Sequence, residues 1–136
     1  MKPSTTRRLT LLLVTTAAAA LPLGAPTAAQ ASGKGDDEIR KSGSCSSGGR
    51  WELKAKTDDG GLEVEFEVDT NRAGQTWSVR VTDNGAQVFR GSRTTRPPSG
   101  SFSVERHITD RSGTDTIVAT ATRSGTSQRC TGRLSI

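Results

Sequence analysis

The chain reads as all-β, a seven-stranded antiparallel β-sandwich, on three observations. Apolar residues recur at strict period two, Asp-Gly and Asn-Gly turns separate the alternating runs, and no helical periodicity follows the first 31 residues. The most informative stretch is 75–94, QTWSVRVTDNGAQVFRGSRT. Asn84-Gly85 between β-formers predicts a type I′ hairpin, because both central positions need positive φ and these residues tolerate it best. That register sets Thr82 opposite Gln87, Val81 opposite Val88 and Val79 opposite Arg90. Trp77, Val79, Val81 and Val88 then share an apolar face. Phe89 falls on the other face, opposite Arg80, unless a bulge near Gly91 turns it inward.

Residues 1–31 carry the three-part export pattern: Lys2, Arg7 and Arg8, then an apolar run over 9–21, then Ala29-Gln30-Ala31 as a small-x-small cleavage site. The run is too short to span a bilayer, so no membrane span is expected in the mature chain. Of 19 basic residues three leave with the signal while all 14 acidic ones stay, which lowers the net charge to +2. A nucleic-acid partner, which would want a strong one-sided excess of Lys and Arg, is therefore not expected.

The mature chain is lean in apolar residues, and a small core of this kind calls for a covalent staple. In an exported chain Cys45 and Cys130 are expected to be joined, for about 4–5 kcal/mol at most in the chain-entropy model. Residues 32–49, SGKGDDEIRKSGSCSSGG, read as a flexible leader whose end Cys45 ties down. The sandwich is placed at 50–136.

From Arg50 the alternation is explicit. Trp51, Leu53 and Ala55 pair through the Asp59-Gly60 turn with Val68, Phe66 and Val64, while Lys54 and Lys56 meet Glu65 and Glu63 on the opposite face. Residues 70–74 cross to the Asn-Gly hairpin. The loop 94–100, with Pro97-Pro98, leaves it, since a Pro pair cannot donate to a ladder. Phe102, Val104, Arg106 and Ile108 start a fifth strand whose third inward position is charged. Residues 114–123 form the sixth, and Cys130, Leu134 and Ile136 share one parity in the seventh.

This order of hairpins and crossings, with Trp77 in the third strand, resembles the fibronectin type III arrangement of the immunoglobulin-like superfold. It departs from immunoglobulin domains in that Cys45 precedes the first of these strands and is not expected to bridge sheet to sheet. Signal, short leader and one such domain also resemble small secreted proteins of high-GC Gram-positive bacteria. Such folds host unrelated activities, so the resemblance implies a scaffold rather than a task.

No catalytic machinery is legible. His107 is the single histidine and has outward parity; Ser103 or Ser112 with Asp110 could complete a triad only with a positioned nucleophile, and no G-x-S-x-G elbow is present. Asp36-Asp37-Glu38, Asp58-Asp59 and Asp83 lack the spaced ligand series of a calcium loop, so no metal or cofactor is expected. Glu63, Glu65 and Glu67 read as a solvated face. Arg90, Arg93, Arg96, Arg106 and Arg111 gather about the fourth strand and its exit loop, as guards of a sheet edge or as a contact surface. The expected function is a secreted, non-catalytic module that binds an extracellular protein or cell-envelope component through Phe89, Arg90, Arg93, Arg96, Pro97 and Pro98. The alternative is a small protease inhibitor presenting Arg96-Pro97-Pro98, comparable in size to subtilisin-inhibitor-type proteins and enediyne-carrier apoproteins, though both families normally have four cysteines.

Overall fold

Both two-residue turns adopt the left-handed backbone that the sequence requires: φ is 44° and 75° at Asp59 and Gly60, and 46° and 85° at Asn84 and Gly85. The computed structural model describes residues 37–136, so the export signal lies outside the described residues. Eight strands are present: β1 (Glu38–Ser44), β2 (Arg50–Asp58), β3 (Gly61–Asp69), β4 (Thr76–Asp83), β5 (Ala86–Thr94), β6 (Ser101–Thr109), β7 (Thr116–Arg123) and β8 (Arg129–Ser135). They form two four-stranded antiparallel sheets, ordered β1-β2-β3-β6 and β5-β4-β7-β8.

The inward faces close on one core. Leu53, Ala55, Val64, Phe66, Val68 and Val104 come from the first sheet, and Trp77, Val79, Val81, Ile117, Ala119 and Leu134 from the second. Trp77 is fully buried with its ring 6.2 Å from that of Phe102, and its indole N–H has no hydrogen-bond partner. The β2–β3 hairpin has the register expected from sequence, with Leu53 opposite Phe66 and Ala55 opposite Val64. Its outer face carries the Lys54–Glu65 and Lys56–Glu63 ion pairs. The hydrogen bond from Lys54 to Glu65 holds the Lys54 ammonium above its ordinary range.

Three expectations need correction. The first concerns the leader, because residues 38–44 are a strand and the count is eight, not seven. β1 hides from a period-two reading because only Ile39 among its inward residues is a large apolar one; Lys41 faces Leu53 and Gly43 faces Trp51. Its outward Arg40 bridges Glu38 at 3.0 Å and Glu52 at 2.7 Å, which offers the strand ionic rather than hydrophobic support.

The second concerns Cys45, which follows β1 instead of preceding the first strand. Its disulfide to Cys130 in β8 therefore ties the edge of one sheet to the edge of the other, across 85 residues of sequence. The turn around it is bound as well: Gln128 Nε2 donates to the Gly48 carbonyl at 2.7 Å, and the Ser46 amide to the Arg129 carbonyl at 2.8 Å.

The third concerns the Asn-Gly hairpin. Thr82 does face Gln87, but a bulge between Val81 and Thr82 leaves Val88 unopposed and sets Val81 against Phe89. One extra residue inverts every side chain beyond it. Phe89 is thereby turned inward and is only 7% exposed, so it is a core residue and offers no contact to a partner.

Candidate functional site

The bulge also decides what the arginines do. Beyond it Phe89, Gly91 and Arg93 point inward while Arg90 points out. Arg93 places its guanidinium 5.0 Å from the centre of the Phe89 ring, and Arg106 reaches over from β6 to 4.7 Å. The charged inward position of the fifth sequence-predicted strand is thus explained. β5 and β6 are the edges of opposite sheets, and Arg106, itself exposed, lies over the Phe89 ring where they meet. A guanidinium covers the ring with its plane and keeps its charge wet.

The connection 94–100 is a closed turn. The Arg96 amide donates to the Ser101 carbonyl at 2.9 Å and the Gly100 amide to the Arg96 carbonyl at 2.9 Å. Its keystone is Thr95, which sequence reasoning passes over. Buried to 1% exposure, its hydroxyl donates to the Arg72 carbonyl at 2.6 Å and accepts from the Gln75 amide at 2.9 Å. Gly100 (φ +74°) lies against the Asn71-Arg72 backbone, where a Cβ would fall 2.2 Å from the Arg72 nitrogen. Arg96, Pro97 and Pro98 project into solvent. Arg93 and Arg96 line a shallow cleft with Phe102 and Ser103 at the β5–β6 seam.

The two outer faces differ in charge. On the first sheet Glu52 lies opposite Glu67, and Glu65 opposite Glu105, with Asp69 and Glu63 on the same face. Glu67 is held above the usual carboxylate range by desolvation first and then by the charges of Glu65, Glu52 and Asp69. On the second sheet the outward residues of all four strands include Arg80, Arg90, Arg129 and Arg133 and no carboxylate. Arg80 and Arg90 are directly cross-strand, a like-charge pairing that costs stability. The remaining outward positions are mostly Ser and Thr. Between the long arginines these short side chains leave a trough, with Ser78, Ser92 and Thr122 on its floor and Arg80, Arg90 and Arg129 along its rim. Arg90 is the one sequence-singled residue that belongs to it. Its other members come from strands far apart in sequence, so no single stretch of chain displays them.

His107 has a structural occupation. Its Nε2–H donates to the Asp58 carbonyl at 3.0 Å, with the Asp58 carboxylate at 3.8 Å, which braces the β2–β3 turn. Ser103 lies four residues away along the same strand, about 13 Å at strand rise, and so does not meet it.

At the β4–β5 turn, Asp83 and Asp115 are both 1% exposed. Asp115 accepts from Asn84 Nδ2 at 3.0 Å and from the Arg111 amide at 3.1 Å. Asp83 has Arg111 Nε at 3.4 Å from one oxygen and no hydrogen-bond partner for the other. Burial, and then the neighbouring Asp115, push the Asp83 carboxyl above its ordinary range. Among the described residues no three acidic, His or Cys side chains converge as metal ligands.

Comparison with family models, with curated proteins and with solved structures gives no match. The chain is thus defined by its own geometry: a small all-β domain of two antiparallel sheets, joined by one edge disulfide, with a carboxylate-free arginine face. No helix among the described residues is long and apolar enough to cross a membrane, and the disulfide fits an oxidising, extracellular setting.

Proposed function

We propose that the chain is an exported, non-catalytic binding module that meets an extracellular or cell-envelope partner through the outer face of β5-β4-β7-β8. The observation that carries this is the segregation of charge. Four arginines share that face with no carboxylate, and two of them stand directly opposite one another at a cost that a bound anion would offset. Phe89 and Arg93, occupied with one another, leave the contact surface; Arg90 stays in it, with Arg96, Pro97 and Pro98 at its border.

The scaffold reading is an immunoglobulin-like sandwich of fibronectin type III order. The neighbours β2-β3-β6 and β5-β4-β7-β8 support it, with β1 added outside β2. Export is supported by the sequence of residues 1–31 and by the disulfide.

Retention of labelled protein on the producing cells and their shed polymers tests the function. Arg80→Glu/Arg90→Glu should lower retention at least tenfold with an unchanged circular dichroism spectrum; equal retention would remove this face. A second reading, inhibition of a protease by Arg96-Pro97-Pro98, rests on the exposure of that turn. The Arg96 amide and carbonyl are already bonded within the turn, so a protease would have to be met by side chains alone. Assay against serine and metalloproteases decides it.

A further inference from the structure

Resting on the binding-module reading, we propose that the trough on β5-β4-β7-β8 holds a stretch of acidic polysaccharide, a chain of hydroxylated sugars carrying carboxylates. Three features of the trough select that chemistry.

Its rim is cationic and specifically arginine. Arg80, Arg90 and Arg129 each offer a planar fork that grips a carboxylate through two parallel hydrogen bonds, which a lysine cannot do. β4 and β8 are separated by one strand and Arg129 is level with Ser78, two residues from Arg80, so roughly 12 Å divides the backbones at Arg80 and Arg129. The two sides can therefore hold successive acidic groups along one polymer.

Its floor is made of hydroxyls. Ser78 and Ser92 are cross-strand partners, and Thr122 continues their row on β7. A hydroxyl both donates and accepts, as a sugar hydroxyl does, so the floor matches the polymer between its charges. The same short side chains make the face concave.

Finally, no aromatic side chain points outward from this sheet. The stacking platform by which single-stranded nucleic acids are held is missing, and so is the aromatic anchor typical of protein partners. The remaining competitor of complementary charge is a second copy of the chain, presenting Glu67 and Glu105 from its other sheet, where Glu52 and Glu65 are already paired with Arg40 and Lys54.

The test uses the disulfide-bonded protein and defined polymers. Titration with polygalacturonate, dextran sulfate, neutral dextran and duplex DNA at two salt concentrations should show the tightest binding to polygalacturonate and none to dextran. Arg80→Ala, Arg90→Ala and Arg129→Ala should each weaken it about tenfold and reduce the salt slope by about one. Arg40→Ala, on the opposite sheet, should leave it unchanged. Ser78→Val keeps the charge and fills the floor, so it should weaken polygalacturonate about tenfold and leave residual DNA attraction untouched.

Equal binding by wild type and the combined Arg80→Ala/Arg90→Ala/Arg129→Ala variant would overturn the proposal. DNA bound more tightly than polygalacturonate, or Ser78→Val without effect on either polymer, would reduce the face to general charge attraction and also overturn it. A concentration-dependent rise in mass by light scattering, abolished by Arg80→Ala and without any polysaccharide binding, would assign the face to a second copy. Retention on cells that depends on Arg80 and Arg90 but persists after polysaccharide digestion would sink this ligand class while leaving the binding module standing.

Discussion

The two long seams of the sandwich are closed by opposite means. At the β1–β8 seam the sheets are drawn together covalently and sterically. Cys45–Cys130 joins them, and the half-buried Trp51 lies between two glycines, Gly43 and Gly132, where a Cβ would fall 2.8 Å from the indole at either site. At the β5–β6 seam no disulfide joins the sheets, and the hydrogen-bonded 94–100 turn connects the two strands at one end. A single ring, Phe89, is flanked by Arg93 and Arg106 at 5.0 and 4.7 Å, and the arginines remain partly in water. One seam is specified by shape and a bond, the other by an aromatic ring and two guanidinium groups. The covalent tie thus lies beside the end of β1 and the start of β8, and the ring contact lies beside the strand that carries Arg90.

The contrast can be broken from either side. Cys45→Ser/Cys130→Ser should have the largest effect, a loss of about 4–5 kcal/mol at most by urea denaturation. Hydrogen exchange in that variant should open β1 before any other strand, since β1 has little else to bury. Phe89→Ala should cost about 3 kcal/mol, at the low end for a buried phenylalanine because the seam can collapse or fill with water. A loss as large as that of the disulfide variant would mean that the second seam is as firmly locked as the first. Gly132→Ala should cost about 1–3 kcal/mol, because Trp51 and the Leu53 Cβ at 3.2 Å leave the methyl no space. Gly43→Ala should cost less, since β1 is an edge strand able to shift. Arg106→Gln should have the smallest effect, about 0.5–1 kcal/mol by thermal unfolding, and most of it should disappear against a Phe89→Leu background.

Much of this architecture was legible in advance, and the exceptions share a cause. The β2–β3 hairpin could be read to the residue because two independent faces, greasy and ionic, agree on one register. The β4–β5 hairpin has the same turn signal, but its register beyond Thr82 departs from that of a plain two-residue turn. The sequence admits a bulge that turns Phe89 inward without placing it, because the extra residue, Val88, and its neighbour Phe89 are both apolar. β1 was invisible because its support comes from Arg40 and from a glycine facing Trp51, neither of which has a period. The trough was the least legible. Its rim draws on β4, β5 and β8, whose adjacency through β7 is a property of the fold and not of any stretch of chain.

Asp83 carries a consequence for how the fold responds to pH. Between the ordinary aspartate value and the raised one, the folded chain retains a proton that the unfolded chain has released, so stability declines as pH climbs through that interval and recovers on souring. Asp83→Asn should remove this slope and raise the melting temperature at neutral pH, as a series of melts across the acidic range would show. Acidification should thus tighten the turn end of this sandwich, where a carboxylate held by a cation would loosen it.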